Sequence, residues 1–304
     1  MGKVPVLGTV SRAYGFLLGE FATILRLAWA PLLIGAAFSY FYGGQAIDAT
    51  IAAGANADPA RALEFAPIQF LIGIVGFVTG IMASVALLRV VIFGDRKPGL
   101  FVYLWLGGTE LRLILVTILL FIAIVAGGVA LTLVLAVLAA LTVALPVMGI
   151  VLLIASFALF FIVIWAALRL TLISPVVVAE NNLGVERSWA ITRGNALRIL
   201  AVLLLTFVPY LLVASLLFFA VMGNDMPAFP ALPAVGPKDA AGSKEAAEAF
   251  AKTVELWQFG VMKAMRAHWV EFSVLGFAGN LITAALSAGA LGSAYTAIVG
   301  EPRD

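Results

Sequence analysis

Arg169, Arg187, Arg193 and Arg198 gather around a polar interruption, ENNLGVERSWAITRGNALRIL at 180–200, in an otherwise apolar chain. A guanidinium carries a permanent charge and five N–H donors in a planar fork that suits phosphate oxygens. This grouping points to a headgroup site for an anionic lipid. Glu180 and Glu186 lie in the same stretch and oppose that chemistry. Two readings therefore stand side by side: a lipid site, or a self-contained salt-bridge network in which Glu180 pairs with an arginine and holds the segment's shape. Elsewhere the chain offers little to a reaction. Cysteine is absent, which excludes disulfides, thiolate metal sites and cysteine nucleophiles. The single histidine, His268, excludes a multi-histidine metal cluster and, beside Trp269, reads as an interfacial residue. GFVTG and GGTELR contain glycines but follow no strand, so they carry no phosphate-loop signal. No Ser-His-Asp arrangement appears. The expectation is no catalytic residue, no metal, no cofactor and no nucleic-acid partner, which leans away from an enzyme.

The elements that position these arginines follow from composition. Of 304 residues, 63% are hydrophobic and only 11% charged, with a mean hydropathy of +1.14. Soluble domains carry about 25% charge. The apolar residues come in blocks long enough to cross a bilayer, which needs roughly 20 helical residues. The fold class expected is an all-α integral membrane protein with six transmembrane helices, at about 24–42, 68–93, 111–141, 147–173, 197–222 and 269–298. Between the third and fourth, Pro146 cannot continue a helix and marks a tight apolar turn. The third segment exceeds a perpendicular span and implies tilt. The start of the chain does not read as a signal peptide. Instead Leu7, Val10, Tyr14, Leu17, Leu18 and Phe21 share one helical face opposite Ser11 and Arg12, the pattern of an amphipathic helix lying on the membrane.

Lysine and arginine set the orientation. With the amino terminus inside, Lys3, Arg12, Arg26, Arg89, Arg96, Lys97, Arg112, Arg169, Arg187, Arg193, Arg198 and Arg303 lie inside. Arg61, Lys238, Lys244, Lys252, Lys263 and Arg266 lie outside, a division of 12 against 6. Both termini are expected in the cytoplasm and the protein in a bacterial inner membrane. The outer loop, 223–267, begins with prolines 227, 230 and 233 at the period of an extended polyproline strand. A helix then follows, with Ser243 suited to cap it and Phe250, Val254, Trp257 and Val261 on one face. Lys244, Glu248 and Lys252 stand at i,i+4 on another.

A short motif recurs: ILRL, ELRLI and ALRIL open the first, third and fifth segments, with Arg26, Arg112 and Arg198 spaced at intervals of 86 residues. Three consecutive helical hairpins would produce this, as would convergence on a snorkelling arginine at each inward helix end. The domain organisation expected is a single membrane domain over 1–304, built from an N-terminal interfacial helix 1–21, hairpin 1 (24–93), a cytoplasmic elbow (94–110), hairpin 2 (111–173), a second elbow (174–196) and hairpin 3 (197–298). Within the second elbow, Ser174-Pro175 limits the fourth helix, residues 184–191 form a short surface helix carrying Trp189, Gly194 suits a helix end and Asn195 the N-cap of the next helix. Pro175, Glu180, Trp189, Gly194 and Asn195 are thus expected to shape the elbow.

Arg169, Pro175, Glu180, Ser188-Trp189, Thr192-Arg193-Gly194-Asn195 and Arg198 together resemble the elbow of a group of bacterial inner-membrane proteins that includes the membrane domain of some glycerophosphoryl diester phosphodiesterases. LLRVVIFGDRKPG and GGTELRLIL resemble its first elbow. The resemblance covers most of the six-helix chain and is specific only in the elbows. It implies the fold alone, because the phosphodiesterase barrel with its acidic metal ligands is absent. Charge-coupled transport is disfavoured, since every charge lies near a helix end and Asn280 is the most polar residue deep in a span. Gly76, Gly80, Ser84 and Gly279, Thr283, Ser287 allow close helix contact, within the bundle or with a partner. The function expected is a non-catalytic, lipid-contacting scaffold or partner subunit of a membrane complex. Its partners would be membrane lipids, anionic ones included, and another membrane protein. A passive carrier of lipid or small uncharged solute is the alternative, followed by a lipid-modifying enzyme.

Overall fold

The computed structural model of the chain describes residues 2–56, 65–96, 101–144, 148–231 and 240–300. All regular structure among them is helical. Helices α1 (Val6–Gly19), α2 (Phe21–Asn56), α3 (Ala66–Phe93), α4 (Gly108–Ala144) and α5 (Met148–Leu170) are followed by two short ones, α6 (Ile173–Glu180) and α7 (Val185–Ile191). Then come α8 (Ala196–Met222), α9 (Ala240–Ala267) and α10 (Trp269–Val299). Six helical stretches among the described residues are long and apolar enough to cross a membrane: Phe21–Ala52, Ala66–Phe93, Gly108–Val137, Gly149–Glu180, Ala196–Asp225 and Trp269–Val299. The chain is therefore an all-α membrane protein. Pro146, Pro233, Arg61, Lys97, Lys238 and Arg303, and the side chains of Ser243 and Lys244, lie outside the described residues.

Three boundaries differ from the sequence reading. The first spanning helix continues from Tyr42 to Asn56, because Gly43-Gly44 does not end it. A Cβ on Gly43 would stand 2.9 Å from the Trp269 ring, and one on Gly44 would stand 3.3 Å from Cζ of Arg266. These glycines admit large neighbours rather than break the helix. The fourth helix stops at Leu170, earlier than expected, and Pro175 falls in the first turn of α6. Proline lacks the N–H that would bond the Thr171 carbonyl, so the helix fails one turn upstream of the ring itself. The outer-loop helix begins at Ala240, which puts Ser243 within its first turn and not at its cap. Phe250, Val254, Trp257 and Val261 are half-buried as expected, with Glu248 and Lys252 exposed.

The chain divides into two compact units, one of Met1–Pro31, Gly80–Val208 and Leu281–Asp304, the other of Leu32–Thr79 and Pro209–Asn280. The first holds both elbows and the whole of hairpin 2. Its core is aliphatic: Ile24, Leu87, Val116, Leu172, Ile191, Ile199 and Leu286 are all but inaccessible. Helix α1 joins this core by its small residues, with Thr9 and Ala13 buried. A Cβ on Gly289 of α10 would approach Cα of Ala13 to 2.9 Å, so only glycine permits that contact. Leu7 and Leu18, on the apolar face read from the sequence, remain 76% and 77% exposed. Hairpin 2 differs from everything around it. Its two helices pack on each other, yet every residue from Phe121 to Ala130 is exposed.

In the second unit, an ion pair and two indole N–H groups fix the helix ends. Arg266 Nε donates to Asp48 at 2.9 Å, and the carboxylate raises the pKa of the guanidinium. Trp269 Nε1 donates to the Tyr40 carbonyl at 2.9 Å, and Trp257 Nε1 to the Pro227 carbonyl at 3.1 Å. His268, at the joint between α9 and α10, sits 2.8 Å from Asp225.

Candidate functional site

The first elbow leads from the left-handed Gly94 (φ 69°) into α4. Gly107 occupies the N-cap position and Glu110 the third helical residue, so the carboxylate reaches back over the free N–H groups of the helix start. Its Oε2 accepts from Gly107 N at 2.9 Å and its Oε1 from the Tyr103 hydroxyl at 3.0 Å. Glu110 has no exposed surface, and each carboxylate oxygen has a donor. Burial, reinforced by that carboxylate, pushes the Tyr103 phenol up to about 12. Arg89, near the end of α3, donates to Thr109 Oγ1 at 3.1 Å and seats the start of α4 against its predecessor. On the other side of the elbow, Arg96 forms a 2.6 Å ion pair with Glu20, whose carboxyl its hydrogen bond holds below the usual range. The sequence reading noted GGTELR but not the role of Glu110. The signal was present, since a glutamate three residues after a helix start is half of a capping box.

The second elbow is tied to the end of α5 through a backbone carbonyl. With α5 broken at Thr171, the Arg169 carbonyl accepts instead from Ser188 Oγ at 3.0 Å and Thr192 Oγ1 at 3.1 Å, both hydroxyls buried. That pair clamps α7 across the helix end and brings Trp189 against Trp165, edge to face, with centroids 5.1 Å apart. Three residues near the turns adopt left-handed backbone: Asn181 (φ 55°), Gly184 (φ 72°) and Gly194 (φ 79°). At Gly184 the requirement is double, because a Cβ would also meet Val176 Cγ1 at 3.1 Å. Asn195 does precede α8 and its carbonyl accepts the first helical bond, from Ile199 N at 2.9 Å. Its side chain, however, holds the amino-terminal segment: Oδ1 accepts from Val4 N at 3.1 Å and Nδ2 donates to the Gly2 carbonyl at 3.1 Å.

The four arginines singled out from the sequence part company here. Arg187 Nε donates to Glu180 Oε1 at 2.9 Å, and this bond raises the pKa of the guanidinium. The Tyr295 hydroxyl donates to the same oxygen at 3.1 Å, so Glu180 joins α6, α7 and α10. Arg198 Nη1 donates to the Val4 carbonyl at 3.1 Å. Arg193 is exposed. Arg169 is the exception: only 7% exposed, with its Cζ 5.4 Å from the Trp165 ring centre and 5.0 Å from that of Trp189. Its Nε is sealed from water and has no acceptor. The salt-bridge reading thus describes Arg187 and Glu180, and does not extend to Arg169.

A regularity links the elbows to the repeated motif. Arg26 Nη2 donates to the Arg96 carbonyl at 2.6 Å, and Arg112 Nη1 donates to Asn181 Oδ1. The partners stand 70 and 69 residues downstream of their arginines, each in the elbow that closes that arginine's own hairpin. The third arginine, Arg198, meets Val4 instead, in a segment whose Gly2 N–H donates to the Ile298 carbonyl at 3.2 Å. The amino-terminal segment therefore stands at the end of the third hairpin where the other two have an elbow.

Fold and site together define a polytopic helical membrane protein with a polar collar formed by its interhelical elbows. Comparison with family models, with curated proteins and with solved structures finds no match to this chain.

Proposed function

We propose that this protein is a non-catalytic, lipid-contacting scaffold or partner subunit in a bacterial inner membrane, with both termini and both elbows cytoplasmic. The observation that carries the reading is hairpin 2, whose apolar residues from Phe121 to Ala130 are exposed on every side. An exposed apolar surface of this extent needs acyl chains or another membrane protein to cover it. The arginine collar supports the orientation, since cations concentrate on the cytoplasmic side and meet anionic headgroups there, at about 1 kcal/mol each. The matching offsets of the Arg26 and Arg112 hydrogen bonds support a common origin for the first two hairpins.

The test is affinity purification in mild detergent, with lipids and proteins identified by mass spectrometry. The reading expects anionic phospholipid enriched over its bulk share, or one membrane protein recovered in fixed ratio and lost when bulky polar residues replace Ile124 and Phe157. Recovery of neither would remove the reading. For orientation, cysteines placed at Gly2 and Asp95 should resist an impermeant outside reagent while one at Lys252 reacts. The reverse pattern inverts the topology.

A further inference from the structure

We propose that Arg169, held between Trp165 and Trp189, is the specific binding site for one phosphodiester group, that of a single anionic phospholipid. This deepens the lipid-contacting reading above and rests on it. The guanidinium is charged at any accessible pH and presents five N–H donors. Two indole rings attract the charge but give those donors no oxygen. Among the described residues Arg169 forms no ion pair: Glu180 is held by Arg187 and Tyr295, Glu110 by Gly107 and Tyr103, and Glu186, in the first turn of α7, is exposed.

The site is also built rather than incidental. Ser188 and Thr192 anchor the Arg169 backbone and α7 to each other, which fixes Trp189 over the guanidinium. Trp165 lies one helical turn before Arg169 on α5, so the same face carries both. The two rings are 50% and 37% exposed, giving amphipathic walls of the kind that sit at headgroup level. The small accessible part of Arg169 excludes Nε, which leaves the Nη edge to meet a ligand. A phosphate oxygen pair matches that edge. Arg193, four residues beyond Trp189, is exposed.

The full chain, purified in uncharged detergent, is titrated separately with dihexanoyl phosphatidylglycerol, dihexanoyl phosphatidylcholine and inorganic phosphate, with binding counted by native mass spectrometry. Phosphatidylglycerol should saturate at one per chain and bind about tenfold or more tightly than phosphatidylcholine. Arg169→Gln should abolish that preference, while Arg187→Gln keeps it. If Arg169→Gln does not fold, Arg169→Lys decides: it retains charge without the fork and should bind about tenfold more weakly. Unchanged affinity in Arg169→Gln or Arg169→Lys overturns the proposal, as does equal binding of the two lipids. Binding of inorganic phosphate without phosphatidylglycerol would make this a free-anion site and overturn the lipid assignment. If the wild type co-purifies with enriched anionic lipid and Arg169→Gln does so equally, the site fails and the wider reading stands. Absence of enrichment from the wild type removes the site, and the wider reading then stands only if a membrane protein is recovered in fixed ratio.

Discussion

The two elbows bury opposite charges and treat them differently. In the first, the Glu110 carboxylate is enclosed and finds a protein donor on each oxygen. In the second, the Arg169 guanidinium is almost as enclosed, and its Nε finds none. A buried charge that the fold satisfies belongs to the fold; one that the fold leaves unsatisfied needs something from outside. On the proposal above, the first elbow is a joint alone and the second is a joint that also binds an anion. Position in the chain does not create this difference, because both elbows follow an even-numbered span and receive a hydrogen bond from the arginine of their own hairpin.

Substitutions can break the contrast, and the largest effect is expected in the first elbow. Glu110→Ala removes the acceptor shared by the half-buried Gly107 N–H and the buried Tyr103 hydroxyl and should lower stability by about 3 kcal/mol, read as thermal unfolding in neutral detergent with anionic-lipid binding unchanged. In the second elbow Asn195→Ala releases two backbone groups of the amino-terminal segment, at a cost of about 1–2 kcal/mol. Hydrogen exchange at Val4 should rise sharply in that variant. Arg169→Gln should shift lipid-free stability by less than about 1 kcal/mol, the lost cation–π contact being offset by relief of an unpaired Nε. A loss as large as that of Glu110→Ala would show that Arg169 is itself part of the joint, and the lipid affinity of Arg169→Lys would then decide whether it also binds an anion. Arg187→Gln breaks an exposed pair and should change stability by at most about 1 kcal/mol, with no effect on lipid.

The smallest effect is spectroscopic. Tyr103 ionises at about 12 in the folded protein against 10 in an exposed phenol. The folded state thus holds the proton more tightly, so the contribution of Tyr103 to stability is complete below pH 10 and is lost as the pH rises through 12. Phenolate absorbance should show a late-titrating component that loses the amplitude of one tyrosine in Tyr103→Phe. Glu110→Ala should bring that group back toward the ordinary value, because its carboxylate contributes to the shift; an unmoved titration would mean that burial alone is responsible.

How far the sequence discloses this depends on the range of the interaction. The spans were legible because a bilayer demands long apolar helices, and Gly194 and Trp189 because helix-end geometry and amphipathicity are local; Gly184, read as the start of the surface helix, is instead a left-handed residue before it. Pro175 was legible as a breaker, though its effect falls at Thr171. The end of α2 was not, since Gly43-Gly44 resembles a stop until Trp269 and Arg266 are seen to need the space. Glu110 carried a local capping signal that the reading passed over. The division of labour among Arg169, Arg187, Arg193 and Arg198 had no local signal. Which guanidinium meets Glu180, and which is enclosed by tryptophans, is settled by where α7 folds back on α5.

The anion site proposed at Arg169 is tested most directly by a crystal structure grown from a lipidic mesophase doped with phosphatidylglycerol. A phosphodiester should lie against the Arg169 guanidinium between Trp165 and Trp189, with its acyl chains running along hairpin 2 and with Glu110 still bonded to Gly107 and Tyr103. Arg169 paired instead with a protein carboxylate, or its surroundings closed with no room for a phosphate, would contradict the distinction between the two elbows.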